Sequence, residues 1–167
     1  MPAKRSESAN DGTTLDLPSE REILITRSFR APARIVFEAI TKPENVRHWW
    51  APKSRGEMRT CDIDFRVGGK WRFTMHAANM GFEVGFSGTF LEIEAPTKFV
   101  QTEIFDPFPD AVSTVTLLLV ERDGQTTMTV RSVYPSQEIR DQVIASGMED
   151  GMRESYRQLT EVVASLA

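Results

Sequence analysis

The sequence predicts an α+β fold in which a curved antiparallel sheet of about six to seven strands wraps a long C-terminal helix, with two short helices after the first strand. Three observations predict it. Residues 56–134 run in strand-length segments of alternating polarity, punctuated by Gly, Pro or Asp, which is the pattern of a sheet with one buried side. Residues 136–167 carry apolar side chains at helical spacing. No strand–helix–strand crossover follows the opening, which argues against a parallel α/β sheet.

Residues 1–20 are polar and of mixed charge, with Leu15 and Leu17 as their few large apolar groups. Too little apolar surface is present to offset the entropy of ordering, so the segment reads as a flexible tail ahead of one domain at 21–167. Ile23, Ile25, Arg27 and Phe29 then share one face of a first strand. Pro32 suits the first turn of a helix, and Val36, Ala39 and Ile40 give that helix an apolar side. Thr41 and Glu44 stand at capping-box spacing around Pro43. They open a second short helix whose apolar side is Val46, Trp49 and Trp50, and Pro52 stops it.

In the strand region, Trp71, Phe73 and Met75 face one way and Lys70, Arg72, Thr74 and His76 the other. Phe82, Val84 and Phe86 repeat the pattern, as do Val115, Leu117 and Leu119, then Met128, Val130 and Ser132. Gly68-Gly69 and Asp123-Gly124 are turn dipeptides, so successive strands form a meander. Ser136 is a plausible N-cap for the last helix, with Glu138 and Asp141 near its positive end. Its stripe is Ile139, Val143, Met148, Met152, Tyr156, Leu159, Val163 and Leu166. Gly147 and Gly151 interrupt it, each at a cost of roughly 1 kcal/mol relative to alanine, which implies a need for close approach or space on that face.

Composition narrows the function. The 167 residues are 40% hydrophobic and 26% charged with a net charge of -4, which suits one globular domain and offers no clustered basic face for nucleic acid. No run reaches membrane-span length, and the first residues lack the order of a signal peptide. Cys61 is the single cysteine and cannot form an internal disulfide, so a cytoplasmic location is expected. His48, His76 and Cys61 cannot by themselves fill a closed four-ligand zinc site, so neither metal nor cofactor is expected. No Gly-x-Ser-x-Gly elbow and no phosphate-binding glycine loop occur, and no catalytic residue is marked.

A strongly curved sheet gripping one helix leaves room between them, and such rooms hold small apolar ligands. The expected lining on the sheet is Trp71, Phe73, Met75, Phe86, Leu117 and Met128, with Trp50 from the second short helix. From the long helix come Met148, Gly151, Met152 and Tyr156. Plain core packing is the competing reading of each. Residues 99–105 leave two registers open. If Phe99 faces inward, so do Gln101, Glu103 and Phe105, and a buried Glu103 would have a raised pKa and the capacity for acid–base work. The other register buries Val100, Thr102 and Ile104, leaves Glu103 in solvent, and is the one that apolar burial favours. Asp64 and Arg66 point the same way on one strand and read as an outer-face ion pair.

The motifs carry a resemblance. Ile25-Thr26-Arg27-Ser28-Phe29-Arg30-Ala31-Pro32, Val36-Phe37-Glu38-Ala39 and His48-Trp49-Trp50-Ala51-Pro52 come first. Asp64-Phe65-Arg66-Val67-Gly68-Gly69-Lys70-Trp71-Arg72-Phe73 is the most specific stretch. Gly88-Thr89-Phe90-Leu91-Glu92-Ile93 and Gly147-Met148-Glu149-Asp150-Gly151-Met152 follow. In order and spacing these resemble the START and birch-pollen-allergen-like (SRPBCC) superfamily. Within it they resemble the family of homologues of the activator of the heat-shock chaperone ATPase. The resemblance implies a helix-grip fold and a cavity for a lipid-like, aromatic or polyketide-like ligand. It also admits an enzyme of cyclase, dehydratase or hydrolase type using Glu103, with Gln101 or Tyr156 orienting. A third implied role is a chaperone-ATPase modulator, although the chain shows no counterpart of the co-chaperone's additional N-terminal domain. A homodimer is a further expectation, with no membrane partner.

Overall fold

The computed structural model describes residues 5–6, 12–77 and 81–167. Its strands are β1 (Arg5–Ser6), β2 (Thr13–Asp16), β3 (Glu22–Phe29), β4 (Gly56–Ile63), β5 (Lys70–Ala77), β6 (Phe82–Glu94), β7 (Lys98–Phe105), β8 (Ser113–Arg122) and β9 (Gln125–Val133). The helices are α1 (Ala33–Thr41), α2 (Pro43–Val46), α3 (Gln137–Ala145) and α4 (Met148–Leu166). The nine strands form one sheet in the order β1-β2-β3-β9-β8-β7-β6-β5-β4, with every neighbouring pair antiparallel. This is the expected helix-grip architecture, and β3 through β9 are its seven expected strands.

Local chemistry explains the joints. Asp123 and Gly124 both take positive φ, 54° and 78°, which turns β8 tightly into β9. A Cβ at Gly88 would stand 1.8 Å from the Thr102 carbonyl oxygen and 2.5 Å from Trp71 Nε1. Glycine there lets β6 bend against β7 and receive the indole, which donates to that same carbonyl at 3.2 Å. The first turn of α1 carries no acidic residue, and the Glu121 carboxylate at the end of β8 accepts from the Ala33 N–H at 2.7 Å instead. Ser136 caps α3 as its sequence predicts, its hydroxyl oxygen accepting from the Ile139 N–H.

Two expectations change. The segment read as a tail through residue 20 pairs with β3 at Thr13–Asp16, where Leu15 is buried against Ile23, Ile25 and Tyr134. One leucine suffices because the β3 edge supplies the backbone partners. Residues 1–4 and 7–11 of that segment lie outside the described residues. The single long helix is two helices, because Gly147 takes the left-handed conformation (φ 82°) that ends α3 and opens α4. Arg140, buried in α3, donates to the Ser19 and Glu22 carbonyls and ties this first piece to the start of β3.

The main core sits at one end of the grip. Val36 and Ala39 of α1 and Leu159 of α4 are fully buried there, with Val163, Phe90, Phe99, Leu119 and Met128 around them. A smaller cluster of Leu15, Ile23, Ile25 and Tyr134 lies under α3 and the start of α4.

Candidate functional site

Between these clusters the packing changes. Phe73 of β5, Phe86 of β6, Val130 of β9 and Tyr156 of α4 are only half-buried, although Trp71, Gly88, Met128 and Leu159 beside them are buried. Trp50 closes this region from the side. It is held by α4 through the backbone around it. The Ser155 hydroxyl donates to the Trp50 carbonyl at 2.8 Å, and Gln158 Nε2 donates to the Trp49 and Ala51 carbonyls at 2.9 Å each. Gln158 Oε1 and the Glu154 carboxylate accept from the Lys53 and Ser54 N–H groups. Trp50 so placed meets Phe73 and Phe86 edge-on, at 5.3 and 5.5 Å between ring centroids. Phe86 stacks on Phe105 at 4.8 Å, and Phe105 leads on to Phe108, which is exposed on the β7–β8 loop. An aromatic wall therefore runs from the surface to the inside.

The register of β7 decides what lies at its inner end. Phe99 meets the rings of Phe37, Phe65 and Phe90, and Phe105 meets Phe86, so Phe99, Gln101, Glu103 and Phe105 face inward. The register favoured by aliphatic burial, with Val100, Thr102 and Ile104 inside, is overturned. Two phenylalanines joining an aromatic cluster outweigh two branched aliphatics and a threonine. Glu103 sits opposite Ser113 of β8, whose hydroxyl donates to the Glu103 carbonyl at 3.2 Å.

The Glu103 carboxyl has a pKa pushed up to about 7, and burial is the cause. Its side chain is nevertheless only half-buried. It makes no hydrogen bond or ion pair among the described residues, and its oxygens are not sealed: the one sealed, unpartnered polar side-chain atom there is the Thr74 hydroxyl. Glu103 therefore combines depth with solvent-accessible surface. Tyr156 has the same character. Its phenol is raised first by burial, then by the Glu103 charge, with Arg27 opposing. Burial and then Glu103 also raise Tyr134.

The sequence-predicted residues divide. Trp50, Phe73, Met75, Phe86, Gln101, Glu103 and Tyr156 are half-buried. Trp71, Leu117 and Met128 are sealed in the main core. Met148 and Met152 pack beside the smaller cluster. Gly151 is corrected: a Cβ there would stand 2.9 Å from Arg55 Nη1 and 3.6 Å from Pro52 Cγ, so the space beside it is taken by Arg55. Trp49 is buried and donates from Nε1 to the Ala39 carbonyl at 2.8 Å. Asp64 and Arg66 form the exposed ion pair that their spacing predicts. Sequence reasoning missed Tyr134, Ser155 and Gln158; only the helical spacing of Ser155 and Gln158 beside Leu159 hinted that these polar groups turn inward. Among the described residues no three His, Cys, Asp or Glu side chains gather to hold a metal ion, and no helix is long and apolar enough to cross a membrane. A depression along α3, lined by Gln137, Glu138, Asp141, Gln142 and Ala145, is open to solvent.

Comparison with known proteins adds context. A family model described as "Activator of Hsp90 ATPase homolog 1-like protein" matches residues 30–164. A crystal structure of a Rhodobacter sphaeroides protein aligns with a TM-score of 0.83 at 26% identity, covering 93% of this chain and 99% of that one. A Staphylococcus epidermidis protein aligns at 0.75 and 26% identity, covering 89% and 93%. An HSP90 activator from Plasmodium falciparum shares the fold at a TM-score of 0.52 and 23% identity, covering 68% and 72%. A probable dipeptidyl-aminopeptidase B of Sclerotinia sclerotiorum is 27% identical over 114 residues. That match takes in 64% of this chain and only 12% of the length of that relative.

Proposed function

The chain belongs to the Activator of Hsp90 ATPase homolog 1-like family, and from that premise we propose that it binds a small, largely apolar molecule in the hollow between the sheet and α4. The observation that carries this reading is the pairing of depth with free surface at Glu103 and Tyr156, beside an aromatic wall of Trp50, Phe73, Phe86 and Phe105. Ligand sites of this kind are mostly apolar, with a few convergent polar groups. The test is titration with the uncharged fluorescent probe N-phenyl-1-naphthylamine. The wild-type chain binds it. Val130→Trp, which projects an indole from the centre of the sheet, weakens binding at least tenfold while circular dichroism stays unchanged. Probe binding that is absent, or indifferent to Val130→Trp, contradicts the reading.

One observation favours a second reading. An unpartnered inward carboxyl with a pKa near 7 suits a general acid or base, so the same hollow would serve an enzyme of cyclase, dehydratase or hydrolase type. Under that reading Glu103→Gln abolishes turnover and leaves binding intact. The Hsp90-activating role in the names of the family and of the Plasmodium protein belongs to those proteins. For this chain it is the third reading, tested by an ATPase assay with the chaperone.

A further inference from the structure

The polar groups of the hollow gather at one place. Glu103 pairs with Ser113 across β7 and β8, and Thr114 pairs with Val133 across β8 and β9, so the row from Glu103 through Ser113 continues to Tyr134. Tyr156 descends onto this row from α4, near enough for the Glu103 charge to act on both phenols. The Ser113 hydroxyl is committed to the Glu103 carbonyl. Arg27, the cation that β3 turns to this face, donates to the Thr13 and Thr160 hydroxyls and lies 5.8 Å from the centre of the Phe29 ring. Arg153 of α4 is bound to Glu149 and to the Thr13 carbonyl. The Glu103 carboxyl and the Tyr156 hydroxyl make no side-chain hydrogen bond among the described residues. With the inward amide of Gln101, they are groups left to meet a guest, and these two carry an O–H.

Resting on the binding role above, we propose that the hollow selects an apolar ligand bearing one uncharged hydrogen-bond acceptor, a ketone-type carbonyl, seated against the Glu103 carboxyl and the Tyr156 hydroxyl, and that it turns away anionic amphiphiles. A carbonyl oxygen has two lone pairs, and a protonated carboxyl and a phenol each offer one O–H donor. A buried carbonyl without such donors loses its water for nothing in return. A ligand carboxylate faces Glu103, whose ionisation it opposes, and among the described residues the Arg27 charge on this face has its donors already turned to Thr13 and Thr160. Glu103 holds its proton up to about pH 7 and is the group of this row that titrates there. Above that pH it has no proton to donate and presents charge to the ligand oxygen.

Three probes of matched shape test this on the full chain: naphthalene, 2-acetylnaphthalene and 2-naphthoate, titrated at pH 6 and pH 8. At pH 6 the ketone binds at least tenfold more tightly than the carboxylate and more tightly than naphthalene. If only the protonated site binds, ketone affinity falls about tenfold from pH 6 to pH 8. Glu103→Gln, whose amide still donates, keeps ketone binding at pH 6 within about threefold. It also removes the fall at pH 8. Tyr156→Phe weakens the ketone and leaves naphthalene unchanged. If the ketone and naphthalene bind equally, acceptor recognition is overturned while the hollow stands. If naphthoate matches the ketone, or Glu103→Gln keeps the pH dependence, the assignment of Glu103 is overturned. If none of the three probes binds, the binding role falls with it.

Discussion

The two halves of α4 meet the same sheet in different ways. At its C-terminal half, Leu159 and Val163 are sealed against α1 and the rings of Phe90 and Phe99. At its N-terminal half, Met152 and Tyr156 keep free surface, and the sheet presents Val130 and Glu103 near them. The cause is a missing layer. The closed end has α1 as a second helix to fill the bend of the sheet. The open end has the start of α4 and the segment around Trp50, held by Ser155 and Gln158, with α3 lying beyond them over Leu15, Ile23, Ile25 and Tyr134. A curved sheet with one helix across it is sealed where something else helps and keeps free surface where nothing does.

The contrast predicts a graded series. Leu159→Ala, at the closed end, costs about 2–5 kcal/mol in urea unfolding, as sealed leucines do. Tyr156→Ala costs less than half as much, because its ring already borders free space.

Glu103 gives the next effect, through pH. Its folded pKa of about 7 stands above the ordinary 4.5, so between those values the folded chain keeps a proton that the unfolded chain has lost. Stability therefore falls as pH rises from 4.5 to 7, by about 3 kcal/mol in all, and the loss is complete above that window. Glu103→Gln removes the penalty. The variant matches the wild type near pH 4.5 and is more stable by up to that amount at pH 8, read from unfolding midpoints at the two pH values. Equal stabilities at pH 8 would place Glu103 in ordinary solvent.

The smallest effect is at the clamp. Gln158→Ala removes the hydrogen bonds that hold the backbone at Trp49, Ala51 and Lys53, at a cost of about 1–2 kcal/mol. It also frees Trp50, so quenching of tryptophan fluorescence by acrylamide rises. An unchanged quenching constant means the Ser155 hydrogen bond and the ring contacts suffice to hold Trp50.

The same division marks what the sequence made legible. The period-two run from Lys70 to His76, the Asp123-Gly124 turn and the Ser136 cap read directly because each is local chemistry. Leu15 did not, because its burial depends on the β3 edge, where its partner Ile25 stands ten positions away, and on Tyr134. Gly147 was visible as an interruption, but only its left-handed φ shows that it divides the helix. The register at Glu103 was open in the sequence because Phe99 and Val100 are both apolar, and both are in fact buried. The aromatic neighbours that settle it come from α1, the segment after β4, and β6. Gly151 failed for the opposite reason: space was inferred correctly, but its occupant, the Arg55 side chain, is invisible to helical periodicity.

The proposed hollow is tested most directly by overfilling it. Val130→Phe adds a ring at the centre of the sheet beneath Tyr156, and Ala39→Leu adds bulk at the sealed face of α1. The account predicts that Val130→Phe changes the unfolding free energy by less than about 1 kcal/mol while Ala39→Leu costs about 1–3 kcal/mol. Equal losses of about 2–3 kcal/mol from both would show an interior as full at one end as at the other, and no room for a guest.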